Sequence, residues 1–294
     1  MTIRTLTRSV ADRLPAGATR ALRCGALWWG KATSGARLDP RVIVVGAQRC
    51  GTTTLYRVLS EHPDIVRPTL SKGIFYFDIN YASGPRWYRA HFPLAAVARR
   101  RVRGSEPVAF ESSGYYSFHP LAPARIGEDL PGVKLVLMVR DPVERAYSAY
   151  KHEFARGFET ESFERALDLE PERLAGEVER MVADPSYESF DHRHHAYVTR
   201  GQYAEQIERL QRSVGAEQVY AMDADDFFAD PAAEVASLFD WLGLTSWTPS
   251  KVEQWNARPG DGLTDELRAR LRAHYEPHDM RLAELTGRTP SWRR

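Results

Sequence analysis

Apolar residues fall along this chain in two rhythms. Short continuous runs, "VIVV" at 42–45 and "KLVLMV" at 134–139, predict strands buried on both faces, and "PVAFESS" at 107–113 and "QVYAMDA" at 218–224 follow the same pattern less strongly. Between them, apolar positions recur every three or four residues, which predicts helices over 142–156, 162–182, 202–214, 231–242 and 264–286. Strands alternating with helices predict an α/β fold, a doubly wound parallel sheet flanked by helices. No internal repeat, low-complexity tract or Pro/Gly/Ser linker divides the chain after residue 41, so the pattern predicts a single domain over 41–294.

Residues 1–40 depart from this pattern. They mix arginine with Leu6, Val10, Leu14, Leu22, Leu27, Trp28 and Trp29, broken by Pro15, Gly17 and Gly25. Residues 1–41 carry eight Lys/Arg against Asp12 and Asp39, a surplus of six; the whole chain has net charge +1, which leaves the remaining 253 residues at −5. The expected role is a basic extension packed on the domain, with peripheral contact to an anionic membrane face as the alternative. A net charge so near zero gives no field that favours nucleic acid. No apolar stretch reaches the roughly 18 to 20 residues of a membrane span. Two cysteines, Cys24 and Cys50, make no disulfide framework and no C-x-x-C metal site. A soluble, cytoplasmic protein without a metal is the expectation.

The candidate chemistry begins after the first strand. Gly46-Ala-Gln-Arg-Cys-Gly51 has the G-x-x-x-x-G spacing of a phosphate-binding loop, but Thr52 stands where a nucleoside triphosphatase carries lysine. A turn of this kind aims backbone N–H groups at one point, where the positive end of the following helix adds its dipole. Gln48, Arg49, Cys50, Gly51, Thr52, Thr53 and Thr54 are therefore candidate phosphate contacts, with Arg49 as the cation. Arg140 closes the strand at 134–139, at the edge where open α/β sheets bind ligands, and Ser148 lies two turns into the next helix. On residues alone, Arg140 can equally be satisfied by Asp141 and Glu144, and Ser148 by its own helix.

"GAQRCGTTTLYRVLSEHPDI", "KGIFYFD", "YASGPRWYRAHFP" and "KLVLMVRDPVERAYSAY", in this order, resemble the sulfotransferases that use 3′-phosphoadenosine 5′-phosphosulfate (PAPS). The likeness is to the branch that contains heparan sulfate and other carbohydrate sulfotransferases and their bacterial relatives. It extends through "RGQYAEQIERL", "DWLGL" and "RLAELTGRTPSW". It implies that the first loop holds the 5′-phosphosulfate and that Arg140 and Ser148 hold the 3′-phosphate, with PAP as product and no metal. It also implies that Tyr197, Arg200 and Gly201 of "YVTRGQY", and Asn256 and Arg258 of "WNARPGDG", lie near the nucleotide.

Sulfuryl transfer needs a base for the acceptor proton and cations for the charge developing on sulfuryl and leaving-group oxygens. The resembling branch carries a "KE-x-x-FFD"-like segment whose glutamate is the base. Here Lys72 and Asp78 match, the glutamate position is Gly73, and a position often histidine is Phe75. Lys72 is expected on the sulfuryl oxygens. Three replacements for the base can be argued: Glu111 at the end of its predicted strand, facing the crevice; Asp78; and His192, His194 or His195, which a surface loop would also explain. Glu111 ranks first. Trp87, Tyr88 and Phe92 are expected in the core rather than as a sugar platform, and the acids from Glu159 to Glu179 on a solvated helix face, which disfavours a highly sulfated polymer as acceptor.

The resulting expectation is a sulfotransferase moving a sulfuryl group from PAPS to a hydroxyl or amine of a glycan, glycolipid or secondary metabolite. The alternatives are a catalytically silent 3′-phosphoadenosine-binding homologue and a P-loop kinase.

Overall fold

The computed structural model describes residues 16–102, 105–249, 252 and 263–294. Five strands form one wholly parallel sheet: β1 (Pro40–Gly46), β2 (Ile65–Val66), β3 (Val108–Ser112), β4 (Lys134–Val139) and β5 (Val219–Asp223), in the order β2-β3-β1-β4-β5. Each parallel pair needs a crossover, and helices cover both faces. The four strands read from the sequence are present within two residues of their expected ends. The two-residue β2, which pairs Ile65 with Val108, was not expected: it is too short to carry a periodicity.

Helices Pro142–Phe154, Tyr203–Val214, Pro231–Leu242 and Asp265–Thr286 match the expected ones. The expected helix over 162–182 is two helices, Phe163–Leu174 and Glu177–Ala183, because Gly176 adopts the left-handed region (φ 73) between them. Asp141, Ser162, Ser189, Asp223, Asp230 and Thr264 each cap a helix N-terminus with a side-chain oxygen, worth about 1 kcal/mol apiece. The expected surface segment 192–195 is instead largely helix Phe190–His194, with His192 and His195 buried.

The main core sits on the sheet. A second apolar cluster, with Val143, Ala146, Phe163, Tyr197, Leu271 and Tyr275, locks helix Pro142–Phe154 to its neighbours. Tyr88 and Phe92 are buried and Trp87 packs against the same core, as expected, with Tyr76 stacked on Tyr88 at 4.6 Å. Helix Ala16–Ala32 packs on the domain where Gly30 meets Ala90, a contact so close that a Cβ at residue 30 would lie 2.6 Å from the Ala90 Cβ.

Candidate active site

β1 is flanked by β3 on one side and β4 on the other, so the chain reverses its winding at β1 and the C-terminal ends of these three strands meet in one crevice. Loop 46–51 fills it. Ala47 N donates to Met138 O at 2.8 Å, which ties the loop to β4, and Ser117 N donates to Val45 O at 3.0 Å, which ties the end of β1 to the turn after β3. Gly51 is the N-cap of helix Thr52–Glu61 at φ 84, and this N-terminus has no side-chain cap. It contrasts with helix Pro142–Phe154, whose Asp141 accepts from Val143 N at 2.9 Å. A helix start without a side-chain cap, behind a glycine turn, presents its positive dipole end where an anionic ligand can sit.

Arg49 lies at φ 73, and its Nε donates to Ser148 Oγ at 3.0 Å. The loop and the residue assigned by resemblance to the 3′-phosphate are thus one polar surface. Arg140 enters beside them, its carbonyl accepting from Tyr203 OH at 3.0 Å. Tyr203 also meets the Cys50 sulfur at 3.5 Å; Cys50 is wholly buried, and burial pushes its thiol up, so its side chain backs the loop as a neutral group.

Arg200 is buried with its guanidinium hydrogen-bonded to Gln48 Oε1, the His192 carbonyl (2.8 Å) and the Arg193 carbonyl (2.9 Å), stacked beside Phe118 and Tyr115. Burial lowers its pKa to about 10, still charged at neutral pH. Arg200 therefore holds the loop's Gln48 in place. Tyr197 lies in the core with its hydroxyl on Glu159 Oε2 at 3.1 Å, and Gly201 sits where a Cβ would stand 2.7 Å from the Tyr275 hydroxyl. Both brace the segment from within the protein rather than facing the crevice. Asn256 and Arg258 lie outside the described residues.

Sequence reasoning misplaced some of the acids that organise this region. Glu159, Glu170 and Glu177 are buried, unlike the solvated face expected. Glu170 accepts from the backbone N–H groups of Tyr197, Val198 and Thr199 at 2.9, 2.7 and 2.8 Å, and so anchors the segment that carries Arg200. Helical periodicity cannot reveal a carboxylate whose partner is a loop backbone 27 to 29 residues away. Arg145 was also missed; it is wholly buried and donates to the Tyr197 carbonyl, joining helix Pro142–Phe154 to the same segment.

On the acceptor side, Lys72 Nζ donates to Thr53 Oγ1 at 2.9 Å, which brings the "KGIFYFD" lysine to the phosphate loop. Burial, and then the nearby Arg57 charge, lower its pKa to about 8. The Glu111 expectation is corrected. It pairs with Ile43 inside β3 rather than projecting from its end; it is wholly buried beside Tyr88 and Tyr116, and burial pushes its pKa up to about 8. A strand covered on both faces offers its penultimate residue no crevice. Asp78 is different. It lines a cavity of about 420 Å³ with Tyr115, His119, Arg125, Glu188 and Arg193, one oxygen accepts from Ile79 N at 2.7 Å, and Oδ2 has no hydrogen-bond partner among the described residues. Burial raises its pKa to about 6, against the pull of the Ile79 N–H and Arg193.

The histidines are engaged elsewhere. His192 Nδ1 meets Tyr115 OH at 2.7 Å and burial lowers its pKa to about 3, while His194 faces Glu153 at 3.0 Å and His195 faces Asp191 at 2.6 Å. A second cleft of about 890 Å³ opens beside Thr53 and Lys72, lined also by Arg57, Arg67 and Arg101. Of these, Arg57 was legible, four residues beyond Thr53 on one helix face. No group of three or more His, Cys, Asp or Glu arranged for a metal occurs among the described residues.

A lysine-free glycine loop at the switch point of a parallel sheet, with arginine and serine from the next crossover beside it, marks a P-loop-like α/β protein with an anion-binding crevice. Residues 39–258 match the family described as "Sulfotransferase domain". The chain belongs to this family, the PAPS-dependent sulfotransferases. It is 26% identical over 283 residues to human heparan sulfate glucosamine 3-O-sulfotransferase 3B1, covering 88% of this chain and 66% of that protein. It is 25% identical over 293 residues to the Xenopus laevis bifunctional heparan sulfate N-deacetylase/N-sulfotransferase 1, covering 87% of this chain and 31% of that protein. This chain thus spans about two thirds or less of those two relatives. The crystal structure of a sulfotransferase from Alicyclobacillus acidocaldarius superposes with TM-score 0.65 at 30% identity, covering 87% of this chain and all of that one.

Proposed function

We propose that this protein transfers the sulfuryl group of PAPS to a hydroxyl or amine on a glycan, glycolipid or small metabolite, with Asp78 taking the acceptor proton. The observation that carries the reading is the Arg49–Ser148 hydrogen bond, which makes the loop and the Arg140/Ser148 pair a single surface for a ligand phosphorylated at both ends. PAPS supplies an activated sulfuryl group on a phosphate leaving group. The chain's part is to hold and to move a proton. The loop 46–51 and the uncapped helix start receive the 5′ end, Arg140 and Ser148 the 3′-phosphate, and Arg49 sets its charge between them. Lys72, fixed on Thr53, adds positive charge beside the loop. Asp78 Oδ2, in a cavity whose wall residue Tyr115 is linked to the loop by side-chain contacts through Arg200 and Gln48, is a carboxylate whose raised pKa suits proton abstraction near neutral pH.

A kinase reading is disfavoured by Thr52 at the lysine position, and a silent binding protein would keep the nucleotide surface without turnover. The free cysteines, Cys24 exposed and Cys50 buried, are compatible with the cytoplasm we propose as its compartment, and no helix among the described residues is long and apolar enough to cross a membrane. The test is calorimetric and enzymatic. 3′,5′-ADP raises the melting temperature with or without magnesium and ATP does so much less, and labelled sulfuryl groups appear on an acceptor from a screened library. Strict magnesium dependence, or equal stabilisation by ATP, overturns the assignment of the nucleotide.

A further inference from the structure

We infer that helix Ala16–Ala32 docks this protein on an anionic lipid bilayer, with Leu22, Trp28 and Trp29 entering the interface and Arg23 and Lys31 at headgroup level. The helix has two unlike sides. Ala26, Leu27 and Gly30 turn toward the domain, and the end of the helix is pinned: Arg37 Nε donates to Thr33 Oγ1 at 2.9 Å and its Nη1 reaches the Ala90 carbonyl at 3.4 Å. On the outward side Leu22, Trp28 and Trp29 are 63%, 73% and 56% exposed. Leu22 and Trp29 stand two turns apart on one stripe, with Trp28 beside it. A rigidly mounted tryptophan pair held in water loses the burial its area would gain elsewhere, and indole, apolar with one N–H, is suited to a bilayer interface.

Charge selects the occupant. The helix has no acidic residue, and residues 1–41 carry a surplus of six positive charges. The adjoining surface continues the sign. Arg37 bridges Leu94, which is the N-cap of helix Ala95–Arg101; that helix presents Arg100 and Arg101 one turn beyond Val97, itself 55% exposed. The two acids nearby are taken, Asp39 by Arg89 at 2.6 Å and Glu106 by Arg99 at 2.8 Å. A protein partner of neutral surface does not call for this excess, whereas each basic residue near an anionic membrane strengthens adsorption about fivefold. Val97 and Arg101 also line the cleft that ends at Lys72 and Thr53, so docking here sets that cleft beside the headgroups.

The test uses the full chain and needs no acceptor or turnover. In co-sedimentation with phosphatidylcholine vesicles containing phosphatidylglycerol, the protein binds, binding falls with added salt, and vesicles of phosphatidylcholine alone capture much less. Trp28→Ser with Trp29→Ser lowers the partition coefficient on the order of tenfold or more, while its stabilisation by 3′,5′-ADP stays that of the wild type. Arg23→Glu with Lys31→Glu, which touches no buried residue, produces a comparable loss and decides the matter should the tryptophan variant be poorly folded. Failure to bind the anionic vesicles, binding that neither variant weakens, or a wild-type dimer that the tryptophan variant converts to monomer overturns the inference; the last outcome makes a second copy the occupant.

Discussion

Arg49 Nε and Ser148 Oγ are 3.0 Å apart although 99 positions separate them in the chain. Arg49 comes from the first crossover turn of the sheet and Ser148 from the helix after β4, so the bond exists only because β1 and β4 are neighbours. It joins a residue expected at one end of the nucleotide to a residue expected at the other.

Arg140→Ala is expected to weaken 3′,5′-ADP binding by about 1.5 to 3 kcal/mol, the range of a charge-assisted contact, and Ser148→Ala by about 1 kcal/mol. Because Arg49 and Ser148 share a hydrogen bond, the Arg49→Ala, Ser148→Ala double-mutant cycle should be non-additive by about 0.5 kcal/mol or more, measured by titration calorimetry. Strict additivity would show that the pair acts independently once the ligand is bound.

Turnover should follow a bell-shaped pH profile. Asp78 must be ionised to accept a proton, and its pKa of about 6 puts the rising limb there, since the base gains its charge as pH increases. Lys72 must be charged, and its pKa of about 8 puts the falling limb there, since the ammonium is lost as pH increases. Lys72→Arg should carry activity further into the alkaline range while lowering its maximum, because arginine keeps its charge but not the point geometry on Thr53. A falling limb unmoved in Lys72→Arg would assign it to another group.

Asp78→Asn should keep 3′,5′-ADP affinity and reduce turnover by roughly 10² to 10⁴-fold. Glu111→Gln should leave both almost unchanged: burial raises the Glu111 pKa to about 8, so it is mostly a neutral acid at pH 7, and an amide replaces it at similar size. Steady-state kinetics of the two variants separate the candidates, and the reverse ranking would return the base to β3.

Gly73→Glu restores the carboxylate usual in the resembling segment. Gly73 does not use the left-handed backbone; the positive φ in this segment belongs to Phe75, at 54°. A Cβ at residue 73 would come within 2.9 Å of the Phe75 ring, which is partly solvent-exposed and can swing aside. The substitution should therefore fold with a loss of about 1 to 3 kcal/mol in denaturant melts, and should recover part of the activity of Asp78→Asn.

Much of this protein was legible in one dimension. "VIVV" and "KLVLMV" are strands because only a sheet buried on both faces uses such runs, and the RDP turn after β4 reads as a cap because Asp141 followed by proline starts a helix. The lysine-free glycine loop is local chemistry, while the Arg140/Ser148 assignment came from the resemblance of the ordered motifs around it, from which the family could be read. The tertiary structure decided what depends on register and burial. Glu111 differs from a crevice residue by its complete burial within β3, Glu170 from a surface acid by a backbone segment far along the chain, and His192 from a titrating base by its neutralising burial. Asp78 gained its raised pKa from the walls of a cavity assembled from residues 78 to 193. Periodicity reports which face of an element is apolar; it carries no information about which distant group meets a buried charge, and that meeting sets both its protonation and its use.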